Sequence, residues 1–136
     1  MNIQPVVRDA ATSEFFDGAA RGVFLVRRST ETGEVLAPPA VQDSVGNTDL
    51  EWVAASGLGR VVSWAFVPRR GGGSDTPVEL TIGVVELDEG PWWWTQLVDI
   101  ERDTLTAGLR VRAVFPKSGP AEADEYVPVF TPTPDE

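Results

Sequence analysis

Residues 60–100 read RVVSWAFVPRRGGGSDTPVELTIGVVELDEGPWWWTQLVDI. Three β-type runs follow one another here, Arg60–Pro68, Pro77–Glu89 and Pro91–Ile100, cut by a glycine-rich loop and by a turn at Gly90. In the first run Val62, Trp64 and Phe66 alternate with Val61, Ser63 and Ala65, which is the period of a strand. The second is apolar on both faces, as a central strand would be. Gly83 inside it marks a bulge or a barrel bend, because glycine weakens a flat strand.

Two flanking segments extend the pattern. EWVAAS at residues 51–56 precedes it, and GLRVRAVFPK at residues 108–117 follows, with Leu109, Val111, Ala113 and Phe115 alternating with Arg110 and Arg112. Five consecutive strands of bent antiparallel sheet suit a small closed barrel of the oligonucleotide/oligosaccharide-binding (OB) type. A sandwich normally wants about seven. Trp64, Phe66, Val84 and Val111 are expected inside the barrel. Upstream, TSEFFDGAARG at residues 12–22 reads as a short helix, capped by Thr12 or Ser13, with Phe15, Phe16 and Ala19 on its apolar face. VFLVRR at residues 23–28 then forms a hairpin with EVLAPP at residues 34–39. The expected fold class is mainly β. Residues 1–49 form the helix and hairpin segment, and residues 50–136 the barrel and a polar tail, TPTPDE.

Composition narrows the chemistry. At 136 residues the chain fits one domain with its own core. It contains neither Cys nor His, which removes disulfides, thiolate and imidazole metal sites and every Ser-His or Cys-His nucleophilic pair. Carboxylates are plentiful, but none pair as a catalytic dyad. The net charge of -10 is uneven: residues 1–70 carry 7 Arg against 8 acids, and residues 71–136 carry 4 Arg or Lys against 13 acids. So acidic a chain repels phosphate backbones as a whole. No apolar run reaches membrane-spanning length, and MNIQPVVRDA lacks the plan of a signal peptide, so the expected location is the cytoplasm.

The run Trp92-Trp93-Trp94 is the most unusual feature. On a strand Trp92 and Trp94 share one face and Trp93 takes the other, so at least one indole lies outside the barrel core. Trp is favoured at protein interfaces and at nucleic-acid stacking platforms. Cover by the N-terminal helix and cover by another chain are both open. Stacking platforms work with a positive groove, whereas Glu86, Asp88 and Glu89 adjoin this run. Arg60, Arg69 and Arg70 are candidates for binding a phosphate, against the simpler reading of a solvated strand face.

The order of features resembles a known family. EFFDGAARGVFLVRRS, then Thr32-Gly33, APP, DLEWVAASGLGRVVSW, VELDEGPWWWTQLVDI and LTAGLRVRAVFP look like the acyl-CoA-associated, DUF35-type proteins, which join an N-terminal helix and zinc ribbon to a C-terminal OB barrel. The resemblance spans residues 13–131. In that family four cysteines in two knuckles hold zinc. Aligned in this way, their positions fall on Ser29, Thr32, Gln42 and Val45, with Gly33 and Gly46 following each knuckle. This set supplies no thiolate and no imidazole, so the resemblance implies a metal-free ribbon held by packing of Val23, Leu25, Val35, Leu36, Val41, Val45 and Pro38-Pro39. The plainer reading is an ordinary packed loop.

The resemblance further implies a non-catalytic auxiliary subunit. It would dock through Trp92, Trp93 and Trp94 on a thiolase-like enzyme, whether thiolase, acyltransferase or steroid side-chain aldolase, in a hetero-oligomer that shares a coenzyme A thioester, with Arg60, Arg69 and Arg70 as candidates for the phosphates of coenzyme A. A hydratase partner is an alternative. A rival class is an independent OB-fold binder of single-stranded nucleic acid or a small ligand.

Overall fold

The computed structural model describes residues 12–70, 77–121 and 124–133. Helix α1 (Ser13–Ala20) starts after Thr12 and buries Phe15, Gly18 and Ala19. It ends where Gly22 takes a left-handed backbone, with the Val23 amide returning to the Gly18 carbonyl. Strands β1 (Leu25–Ser29), β2 (Val35–Leu36) and β3 (Leu50–Ala54) make a three-stranded antiparallel sheet in the order β2-β1-β3. Strands β4 (Leu58–Arg70), β5 (Pro77–Leu87), β6 (Trp92–Leu97), β7 (Arg110–Val114) and β8 (Val129–Pro132) close a barrel in the order β4-β5-β6-β8-β7, with β7 returning to β4.

The barrel departs from the sequence reading in one respect. The segment at 51–56 is a strand, but β3 pairs along its whole length with β1 and stays out of the barrel. Its place is taken by β8, whose Thr131 and Pro132 fall in the stretch read as polar tail. β8 runs parallel to β6 at Leu97 and Phe130 and antiparallel to β7, so the barrel is mixed. Burial explains the choice. Val129, Phe130 and Thr131 are all buried, so this short strand is enclosed on both faces.

Bending is localised where β4 and β5 cross the barrel. Val61 pairs with Val85 and Ser63 with Val84, leaving Val62 as a bulged residue. Beyond the bulge Trp64 stands opposite Gly83. A Cβ on Gly83 would lie 2.8 Å from the Ser63 carbonyl oxygen and 2.9 Å from Leu97 Cδ1, so the close approach admits only glycine. Val84 and Val111 are buried as expected, while Trp64 and Phe66 are partly buried at the edge of the core. One hydrophobic cluster runs from Phe15 of the helix through Phe24 and Val26 to Val61, Val85, Leu87, Leu97, Val111 and Phe130 of the barrel. Phe24 is its hinge, with Phe15 at 5.7 Å and Phe130 at 5.9 Å between ring centroids. Among the described residues no helix is long and apolar enough to cross a membrane.

Candidate docking groove and ribbon centre

Strand alternation separates the three tryptophans. Trp93 turns inward, 5.6 Å from Phe15 and 5.4 Å from Phe24 between ring centroids, so the helix covers this indole. Trp92 and Trp94 point the other way and are 58% and 75% exposed. Side chains this large gain little by facing water, and paired on one strand face they form an apolar patch.

That patch adjoins a groove of about 630 Å³. Its walls come from three parts of the fold: Phe15 and Phe16 of α1, Pro38 to Val41 of the loop after β2 with Trp52 of β3, and Trp93 to Gln96 of β6 facing Val127 to Val129. Among the described residues Arg27 of β1 is the only ionised side chain lining it. Its guanidinium stacks 4.1 Å from the Trp52 ring centroid, and its Nε donates to the Pro38 carbonyl at 3.3 Å. Trp93 Nε1 is buried and has no acceptor.

The ribbon is organised around a carboxylate. Asp43 is almost fully buried. Its Oδ2 accepts from Ser29 Oγ at 2.8 Å, Thr32 Oγ1 at 3.2 Å and Asn47 Nδ2 at 2.9 Å, and its Oδ1 accepts from the Val45 and Asn47 amides at 3.0 and 2.9 Å. Ser29 Oγ in turn accepts from the Glu31 and Thr32 amides. Burial alone would raise the Asp43 carboxyl. The bonds from Asn47, Ser29 and the Asn47 and Val45 amides outweigh it and hold the group well below the usual carboxylate range. A zinc ribbon gathers anions around a cation, whereas here donors are gathered around an anion. Of the four positions aligned with cysteines, Ser29 and Thr32 converge on this centre. Gln42 and Val45 are exposed, and the second loop contributes Asp43 and Asn47 instead. Val41 and Val45, expected to pack the hairpins, are 76% and 74% exposed. Among the described residues no cluster of acids could hold a metal ion.

The arginine candidates are not brought together. Arg60 is exposed near the start of β4, opposite Glu86 of β5 and Arg110 of β7. Arg110 makes a two-pronged pair with Asp88 at 2.9 and 3.1 Å, which lowers the Asp88 carboxyl against the effect of its burial. Arg69 and Arg70 lie at the other end of β4; nine residues of strand span up to about 30 Å. Their side chains are outside the described residues. Arg28 pairs with Glu51 and Arg102 with Glu79 at exposed positions, and Arg102 also covers the Phe66 ring.

The comparisons agree with this architecture. Residues 52–116 match the family model of the ChsH2 C-terminal OB-fold domain. A DUF35 domain-containing scaffold protein of Pyrococcus furiosus is 29% identical over 94 residues, covering 68% of this chain and 69% of that protein. By these matches the chain is similar to DUF35-type OB-fold proteins. Solved structures show the same fold. A chain of the Ltp2-ChsH2(DUF35) aldolase aligns with a TM-score of 0.75 at 24% identity, over 92% of this chain and 96% of that one. A DUF35 family protein of unknown function from Sulfolobus solfataricus aligns with a TM-score of 0.59 at 11% identity, over 91% and 86%.

Proposed function

We propose that this protein is a non-catalytic auxiliary subunit that docks on a thiolase-like acyl-CoA enzyme, such as a thiolase, an acyltransferase or a side-chain aldolase. The observation that carries the reading is the pair of exposed tryptophans, Trp92 and Trp94, beside an apolar groove. The names of its relatives support it, one being a scaffold protein and another a component of an aldolase assembly. So does the sequence, which lacks the Cys and His of acyl-transfer chemistry. The nucleophile and base then belong to the partner. A coenzyme A thioester would be held chiefly by the partner as well, since Arg60 stands among Glu86, Asp88 and Arg110, which leave little net positive charge for its phosphates.

The test is co-expression with thiolase-like proteins encoded beside this chain, with hydratase-like ones as a second set. The expected result is a complex that survives size-exclusion chromatography and whose acyl-CoA turnover exceeds that of either chain alone. Separate elution from every such protein, together with retention of this chain on single-stranded DNA at moderate salt, would reject it in favour of an independent OB-fold binder.

A further inference from the structure

The groove carries chemical information about what occupies it. In a chain of net charge -10 its wall holds, among the described residues, a single ionised one, Arg27. That side chain is fixed from two directions, by the Trp52 ring on one side and by the Pro38 carbonyl at its Nε, and no carboxylate among the described residues pairs with it. A guanidinium held in one orientation on an apolar wall suits a planar carboxylate, and desolvation by an occupant would strengthen the pair.

We propose that the groove receives an apolar polypeptide segment of the partner enzyme, with a carboxylate of that segment seated on Arg27. The inference rests on the partner-subunit reading and specifies its contact. A polypeptide fits better than a small amphiphile because the apolar surface does not end at the groove. It continues over Val41 on one rim and Trp94 and Trp92 on the other, more than half of each exposed, and a single acyl chain in the groove would leave these rims wet. A protein segment covers both.

The experiment uses the complex obtained by co-expression. A benzoylphenylalanine at position 41 should crosslink to a partner peptide that combines apolar residues with an Asp, a Glu or the chain's terminal carboxylate. Arg27→Gln and Val41→Asp should each weaken the complex at least tenfold, and Arg27→Lys less. Replacing the identified carboxylate by its amide or by truncation should also weaken it tenfold, and combining this change with Arg27→Gln should cost no more than either alone. Val41 is exposed, so Val41→Asp leaves the subunit folded even if Arg27→Gln loosens the ribbon. If wild type binds the partner and all these variants bind equally well, the groove assignment is wrong while the subunit reading stands. A crosslink back into this chain, or into a second copy, also overturns it. If wild type binds no such enzyme, both fall.

Discussion

Ser29 Oγ lies 2.8 Å from Asp43 Oδ2, and the two residues join the two loops of the ribbon across 14 positions of sequence. Both are buried, so the bond is shielded from water and supported by the Glu31 and Thr32 amides on Ser29 and by Asn47 on Asp43. Glu34 adds a second tie outside this centre, its Oε1 accepting from the Ser44 amide and hydroxyl. Ser29→Ala removes a bond to a charged acceptor and should cost about 2 kcal/mol. Thermal unfolding followed by circular dichroism checks it, and Glu34→Ala, at an exposed tie, should cost much less.

The same centre sets an acid limit on stability. Because hydrogen bonds hold the folded Asp43 carboxyl below its unfolded value, its contribution is complete above the ordinary carboxylate range, near pH 4, and is lost as pH falls below it. Asp43→Asn keeps the shape but replaces an acceptor by a donor facing other donors. The gap in thermal midpoint between wild type and Asp43→Asn should be widest at neutral pH and narrow progressively below about pH 4. A gap independent of pH would show that charge at Asp43 is not what organises the loops.

A chelator should not move the midpoint of the wild-type protein, because the donors that converge on the ribbon centre are hydroxyls, amides and one carboxylate rather than thiolates or imidazoles. Elemental analysis finding one tightly held zinc per chain, or a chelator-induced fall in midpoint, would refute this.

Barrel closure depends on the approach of β4 to β5 at Gly83. Gly83→Ala would push a methyl to 2.8 Å from a backbone oxygen, which cannot swing aside as a side chain tip does, so it should destabilise by about 1–3 kcal/mol. Chemical denaturation measures it. A neutral result would mean that the bulge at Val62 can shift to accommodate the methyl.

What could be read in advance follows from the range of the forces involved. Alternation in β4 and β7, the β1–β2 hairpin and the short helix are local patterns, and the opposite facing of Trp92 and Trp94 against Trp93 follows from strand geometry alone. Pairing partners are not local. Glu51–Ser56 looks as much like a barrel strand as any other segment, and only the edge offered by β1 tells where it goes. β8 is a four-residue run beside prolines and was hidden because its burial depends on closure with β6 and β7. Asp43 was missed for another reason. Alignment to the resembled family gives Gln42 and Val45, whereas the anion at the centre is Asp43, one residue past Gln42. The available signal was an acid in a short loop with Ser44 and Asn47 close by, ahead of the Gly46 turn.

The tryptophan run offers the sharpest separation of stability from association. Trp93 packs against Phe15 and Phe24, so Trp93→Ala opens a cavity in the core and should cost about 3–5 kcal/mol of folding stability. Trp92 and Trp94 are mostly in water, and their replacement by Ala should change the unfolding of the isolated subunit by less than about 1 kcal/mol. Interface tryptophans are frequent hot spots, so Trp94→Ala, at the groove rim, should weaken the complex by about 2 kcal/mol or more, close to thirtyfold in Kd. Trp92→Ala lies outside the groove lining and should have the smaller effect of the two. The two quantities are measured on the same variants, thermal unfolding of the subunit alone and affinity for the co-expressed partner by calorimetry. If Trp92→Ala and Trp94→Ala both leave affinity unchanged, this strand face is not the docking surface. If both unfold the subunit, the indoles are structural, and the exposed patch closes on part of this chain itself.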